Sequence, residues 1–73
     1  MYKLETNLIL LGIDYKCNII SEEQSLYRFI INNGETIINC APNKKRYQII
    51  SGNIKLEYKS SRGIINRLKD LYK

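Results

Sequence analysis

Three consecutive cations, Lys44, Lys45 and Arg46, stand directly before Tyr47, and side chains of this kind on a turn neutralise the phosphate oxygens of a nucleic-acid backbone. Lysines in a turn also have a blander use, guarding the end of a strand against pairing with another edge. Farther along, Lys55, Lys59, Arg62 and Arg67 add charge of the same sign. Between them lies Ser60-Ser61-Arg62-Gly63. There the free amides of a helix start, two hydroxyls and a guanidinium can converge on an anion, with Gly63 allowing close approach. An ordinary helix cap, with Gly63 packing against a sheet, accounts for the same four residues. Tyr47 and Tyr58 sit among these cations, where a ring can either stack on a base or pack into a core. The candidate anion- or nucleic-acid-binding residues are therefore Lys44, Lys45, Arg46, Tyr47, Lys55, Lys59, Ser60, Ser61, Arg62, Gly63 and Arg67.

Catalytic chemistry has less to work with. General acid-base catalysis near neutral pH most often uses histidine, and the chain has none. Glu22 and Glu23 are adjacent in the polar stretch from Ser21 to Ser25, and adjacent side chains of an extended chain point opposite ways. No phosphate-binding loop, nucleophile elbow or zinc or calcium ligand set can be read. Cys17 beside Lys16 is a thin basis for a thiolate nucleophile. The two cysteines, Cys17 and Cys40, lack the spacing of a metal or redox motif and are expected as buried or half-buried free thiols. The expectation is a binding protein that is not an enzyme, with no metal and no cofactor.

Charge is unevenly spread. Residues 1–36 hold three basic and five acidic side chains, net −2, whereas residues 37–73 hold nine basic and two acidic ones, net +7. A field this lopsided raises encounter rates with polyanions or acidic protein surfaces. It also excludes simple mimicry of DNA, which needs an acidic surface. With 73 residues there is room for one domain, and 44% hydrophobic and 26% charged residues set aside disorder, collagen and coiled coil. The longest apolar run, Leu8 to Leu11, is far too short to cross a bilayer, and no signal-peptide pattern opens the chain, so a cytoplasmic protein without membrane contact is expected. Ile, Asn and Lys make up 29 of the 73 residues. All three are read from AT-rich codons, which suits an AT-rich bacterium, phage or plasmid.

The elements that must position these residues form an α+β domain. Met1, Leu4, Leu8 and Leu11 recur at helical spacing before Gly12, which predicts a helix over about residues 2–11. Residues 13–20 alternate as a strand or extended lead-in. Asn33-Gly34 separates two β-rich runs and predicts a type I′ hairpin, because both residues tolerate positive φ. A two-residue turn there sets Asn32 opposite Glu35, Ile31 opposite Thr36, Ile30 opposite Ile37, Phe29 opposite Ile38, Arg28 opposite Asn39 and Tyr27 opposite Cys40. Tyr27, Phe29, Ile31, Thr36, Ile38 and Cys40 then form the core face, leaving Leu26, Arg28, Ile30, Glu35, Ile37 and Asn39 on a half-polar, wet face. Pro42 marks a turn, residues 46–50 and 54–58 read as further strands, and Ser60 or Ser61 caps a helix over about residues 62–72. Its stripe is Ile64, Ile65, Leu68, Leu71 and Tyr72. The result is an antiparallel sheet of three to five strands with a short N-terminal helix and an amphipathic C-terminal helix on one face. No internal repeat is visible.

Leu11-Gly12-Ile13, Tyr27 to Ile31, Pro42-Asn43-Lys44-Lys45-Arg46-Tyr47 and Arg62-Gly63-Ile64-Ile65 through Leu68 resemble small uncharacterised proteins of phages and mobile elements. The order of helix, strands and helix is also similar to the double-stranded-RNA-binding fold, whose last helix meets phosphates at its start. That family opens the helix with a lysine-rich, alanine-containing segment, where this chain has Ser60-Ser61-Arg62-Gly63. Small size, AT-rich codons and the absence of catalytic chemistry suit a second kind of partner, an acidic host protein held by a phage- or plasmid-borne inhibitor of anti-CRISPR or other anti-defence type. Nucleic acid held by its phosphates is the principal expectation. A homodimer through Leu26, Ile30 and Ile37 is a third arrangement the pattern permits.

Overall fold

The computed structural model describes residues 3–72. It is a two-layer α+β domain in which helix α1 (Lys3–Leu10) and helix α2 (Ser61–Leu71) cover one face of a five-stranded antiparallel sheet. The strands are β1 (Tyr15–Ser21), β2 (Leu26–Ile31), β3 (Thr36–Ala41), β4 (Arg46–Ser51) and β5 (Ile54–Tyr58), each hydrogen-bonded to the next in chain order. Successive starts at residues 26, 36 and 46 give the middle of the meander a ten-residue period, with four-residue turns at 22–25, 32–35 and 42–45. This periodicity lies in backbone geometry, which explains why no repeat of residue types announces it.

Local chemistry accounts for the boundaries. Helix α1 ends because Gly12 adopts φ +70, and the amides of Gly12 and Ile13 fold back onto the carbonyls of Ile9 and Leu8, both at 3.0 Å. Those bonds satisfy carbonyls that a helix end leaves open. At the β2–β3 turn, Asn33 (φ 59, ψ 29) and Gly34 (φ 104) hold the predicted left-handed pair, closed by Glu35 N–H donating to the Asn32 carbonyl at 3.3 Å. Five of the six expected cross-strand partners are observed, from Tyr27 with Cys40 to Ile31 with Thr36. The sixth is not. Asn32 adopts φ 49 and donates its N–H to the Asp14 carbonyl at 3.0 Å, so the ladder stops one pair early and Asn32 and Glu35 belong to the turn.

The core follows from the alternation. Tyr27, Phe29, Ile31, Thr36, Ile38 and Cys40 are all buried, joined by Ile49 and by Leu4, Leu8, Ile13, Ile64, Ile65 and Leu68. Phe29 takes the ring edges of Tyr15 and Tyr27 at centroid distances of 5.7 and 5.5 Å. Thr36 is the one buried polar residue among those described, and its hydroxyl meets Tyr72 Oη at 2.6 Å and Ser51 Oγ at 3.2 Å. That contact ties the end of α2 to the middle of the sheet.

One expectation needs correcting here. Leu71 is 38% exposed instead of buried, because the apolar stripe of α2 is satisfied by Ile64, Ile65 and Leu68 and Leu71 lies at its margin. Met1 and Tyr2, at the start of the expected first helix, lie outside the described residues. Cys17 is half-buried, Cys40 buried, and both are free. Among the described residues no helix is long and apolar enough to cross a membrane.

Candidate anion-binding site

Turns 22–25 and 42–45 emerge at one end of the sheet, and β5 returns to that same end before α2 begins. Topology therefore carries Lys44, Lys45 and Arg46 to the side of Lys59. Together with Glu57 and Tyr58 they line a concavity of about 390 Å³. Lys45 holds φ 51, a left-handed backbone closed by its own N–H donating to the Pro42 carbonyl at 3.0 Å. Lys44, Lys45, Arg46 and Lys59 are all exposed, so the concavity presents four cations and one carboxylate to solvent. On the other flank, Asn43 Nδ2 donates to the Gln24 carbonyl at 3.2 Å and so brings the Glu22 and Glu23 turn alongside. The positive field is thus strongest toward β5.

The remaining candidates do not join this cluster. Lys55 projects from the uncovered face of the sheet opposite Ile50. Arg62 lines a groove between the helices with Lys3, Asn7, Ile65, Asn66 and Lys69. Arg67 lies over the β5 side of the core with Ile54, Leu56 and Leu71. A single continuous patch over residues 37–73 is therefore not what the fold builds, because α2 turns its cations toward a different side from the β3–β4 turn.

Packing accounts for the glycine at the start of α2. A Cβ on Gly63 would fall 2.4 to 2.9 Å from the Tyr58 side chain, so the glycine lets helix and strand touch and leaves no open approach for a phosphate at that residue. Ser60 stands at the cap position with extended backbone but makes no side-chain bond to the helix, since its exposed hydroxyl has water available instead. Tyr47 and Tyr58 are half-buried against the core, and Tyr58 keeps part of its surface on the concavity. Burial raises Tyr47, with the neighbouring Cys40 adding to the effect. Burial likewise pushes the Cys40 thiol up to about 12, against a smaller opposing hydrogen bond from Tyr27. Cys17 is raised by burial and then by Glu5.

A second feature lies on the uncovered face. There Arg28 Nε donates to Asn39 Oδ1 at 2.7 Å, Asn39 Nδ2 to Gln48 Oε1 at 3.1 Å, and Gln48 Nε2 to Glu57 Oε1 at 3.3 Å. These four side chains stand on four adjacent strands and form one directional row from cation to anion. Lys16, Arg28, Arg46 and Lys55 set four cations against Glu57 on this face, with Ile30, Ile37 and Ile50 in the next row. Lys16 and Arg28 come from the acidic half of the sequence. Only their strand register, which the alternation and turn type imply, could have placed them beside the basic half.

Among the described residues, no group of three or more His, Cys, Asp or Glu is arranged to hold a metal ion. No family model, no curated protein and no solved structure matches the chain.

Proposed function

We propose that this is a non-enzymatic binding protein that grips nucleic-acid phosphates at the end of its sheet, through Lys44, Lys45, Arg46 and Lys59. The observation that carries this reading is their convergence from two separate strand ends onto one concavity holding a single carboxylate. Flexible lysines and an arginine neutralise phosphates without reading sequence, so affinity is insensitive to base identity. Arg62 and Arg67 line other grooves than this concavity and add general attraction. The test is fluorescence anisotropy with a labelled mixed-sequence oligonucleotide at low salt. Reversing Lys44→Glu, Arg46→Glu and Lys59→Glu together should weaken binding by tenfold or more, on the order of what lost phosphate contacts cost. Unchanged affinity would show the reading to be wrong.

A second reading, an inhibitor that docks on an acidic face of another protein, is favoured by one observation. The uncovered face of the sheet sets half-buried isoleucines 30, 37 and 50 among its cations. A phosphate backbone gives those isoleucines nothing to bury against, whereas a protein surface does.

A further inference from the structure

The row of Arg28, Asn39, Gln48 and Glu57 borders a groove of about 300 Å³ on the uncovered face, walled by Ile20, Leu26 and Ala41 and reached by Arg46. We infer that this groove is an acidic-peptide site, seating a carboxylate side chain flanked by aliphatic residues on a partner protein, with Arg28 as the anchoring cation. The inference rests on the second reading above, and its anchoring cation, Arg28, lies outside the phosphate-binding concavity, although Arg46 and Glu57 border both.

Three features of the groove point to this occupant. First, the 2.7 Å bond from Nε to Asn39 fixes the plane of the Arg28 guanidinium while leaving the two Nη groups as a donor fork, the geometry that takes a carboxylate in two parallel bonds. Fixing it beforehand removes part of the entropy that an exposed arginine loses on binding. Second, the one carboxylate of the row does not neutralise it. Glu57 lies three strand intervals away, roughly 14 Å at ~4.8 Å each, which exceeds the screening length of about 8 Å at physiological salt. Its oxygen instead accepts from Gln48, which orients the amides that orient Arg28. Third, Ile20 is 53% exposed on one wall, with Leu26 and Ala41 half-buried beside it, so methylene groups next to the carboxylate find apolar surface to cover. A bare phosphate uses the guanidinium and wastes the walls. A shallow groove open along the sheet also suits a side chain carried on a larger surface better than a free small molecule, which needs enclosure.

Asn39 is a positioning residue in this account and Arg28 the contact. The experiment is NMR titration of the full chain, following the Arg28 Nε–Hε signal and the backbone amides, with three probes: acetyl-Leu-Glu-Leu-amide, acetyl-Leu-Gln-Leu-amide and acetate. The glutamate peptide should shift Arg28, Leu26 and Ala41, with the glutamine peptide and acetate each at least about tenfold weaker, the expected loss of a charge-assisted pair or of its apolar flanks. Arg28→Gln should abolish the preference for glutamate. Asn39→Leu should weaken binding while the Arg28 Nε–Hε proton exchanges faster with water, a change that loss of packing alone would not produce. Equal binding of the two peptides on this face would overturn the inference and leave the protein-docking reading standing. No shift on the open face with either peptide would remove both.

Discussion

At the scale of single residues, the most informative group is Cys40. Burial against Tyr27 and Tyr47 holds its thiol up to about 12 against an ordinary 9.0, so in the folded chain the neutral form is favoured. The sign follows directly. Below pH 9 the thiol is protonated both folded and unfolded and its burial counts in full. Between 9 and 12 the unfolded chain releases the proton while the folded chain retains it, and stability falls. Tyr15 and Tyr47 are raised as well and act in the same direction at higher pH. Urea unfolding under reducing conditions should therefore give a level midpoint from neutral pH to about 8.5 and a decline above it. Cys40→Val should flatten the first part of that decline; parallel profiles for the two proteins would assign it elsewhere. Burial of Cys40 was legible from its place on the core face of the hairpin. That Tyr47 would flank it on the other side was not, because that depends on which strand pairs next with β3.

Among the elements, α2 meets the sheet most closely at Gly63. Two effects oppose each other when this glycine becomes alanine. Helix propensity favours alanine by about 1 kcal/mol, while overpacking of a filled contact costs about 1–3 kcal/mol. The added Cβ would meet Tyr58 Cβ at 2.9 Å as well as its ring, and a Cβ cannot swing aside as a side-chain tip can, so the clash wins. Gly63→Ala should lower stability by up to roughly 2 kcal/mol in urea unfolding. Combined with Tyr58→Gly, which removes the opposing Cβ together with the ring, it should cost much less than the two changes added together. Full additivity would mean that the two residues do not touch. The sequence carried this contact as one of two readings of Ser60-Ser61-Arg62-Gly63, and only the placement of β5 under α2 decided between them. Elsewhere the elements were legible to within a residue or two wherever a local signal acted alone. Gly12 stops α1, Asn33-Gly34 sets the β2–β3 register, and Ile64, Ile65 and Leu68 face the core. Pairing of β1 was harder to read, since Lys16, Asn18, Ile19 and Ile20 are all exposed on an edge strand.

Over the whole molecule, charge counts along the chain proved a coarse guide to surface. The basic half divides among the sheet end, the helix groove, the β5 side and the open face, and that face takes Lys16 and Arg28 from the acidic half. Lys44, Lys45, Arg46 and Lys59 line one concavity, which makes the account quantitative. Four neutralised phosphates imply a slope of about −3.6 when log affinity for duplex DNA is plotted against log salt concentration, at about 0.9 per contact. Diffuse attraction by the net charge of +5, spread evenly over the surface, has no such fixed number of contacts. The most direct test is that plot for the unmodified protein and for Lys59→Gln. The account predicts a slope between roughly −3 and −4 that becomes shallower by about one in the variant. A flat plot, or one that Lys59→Gln leaves unaltered, would contradict phosphate binding at this end of the sheet.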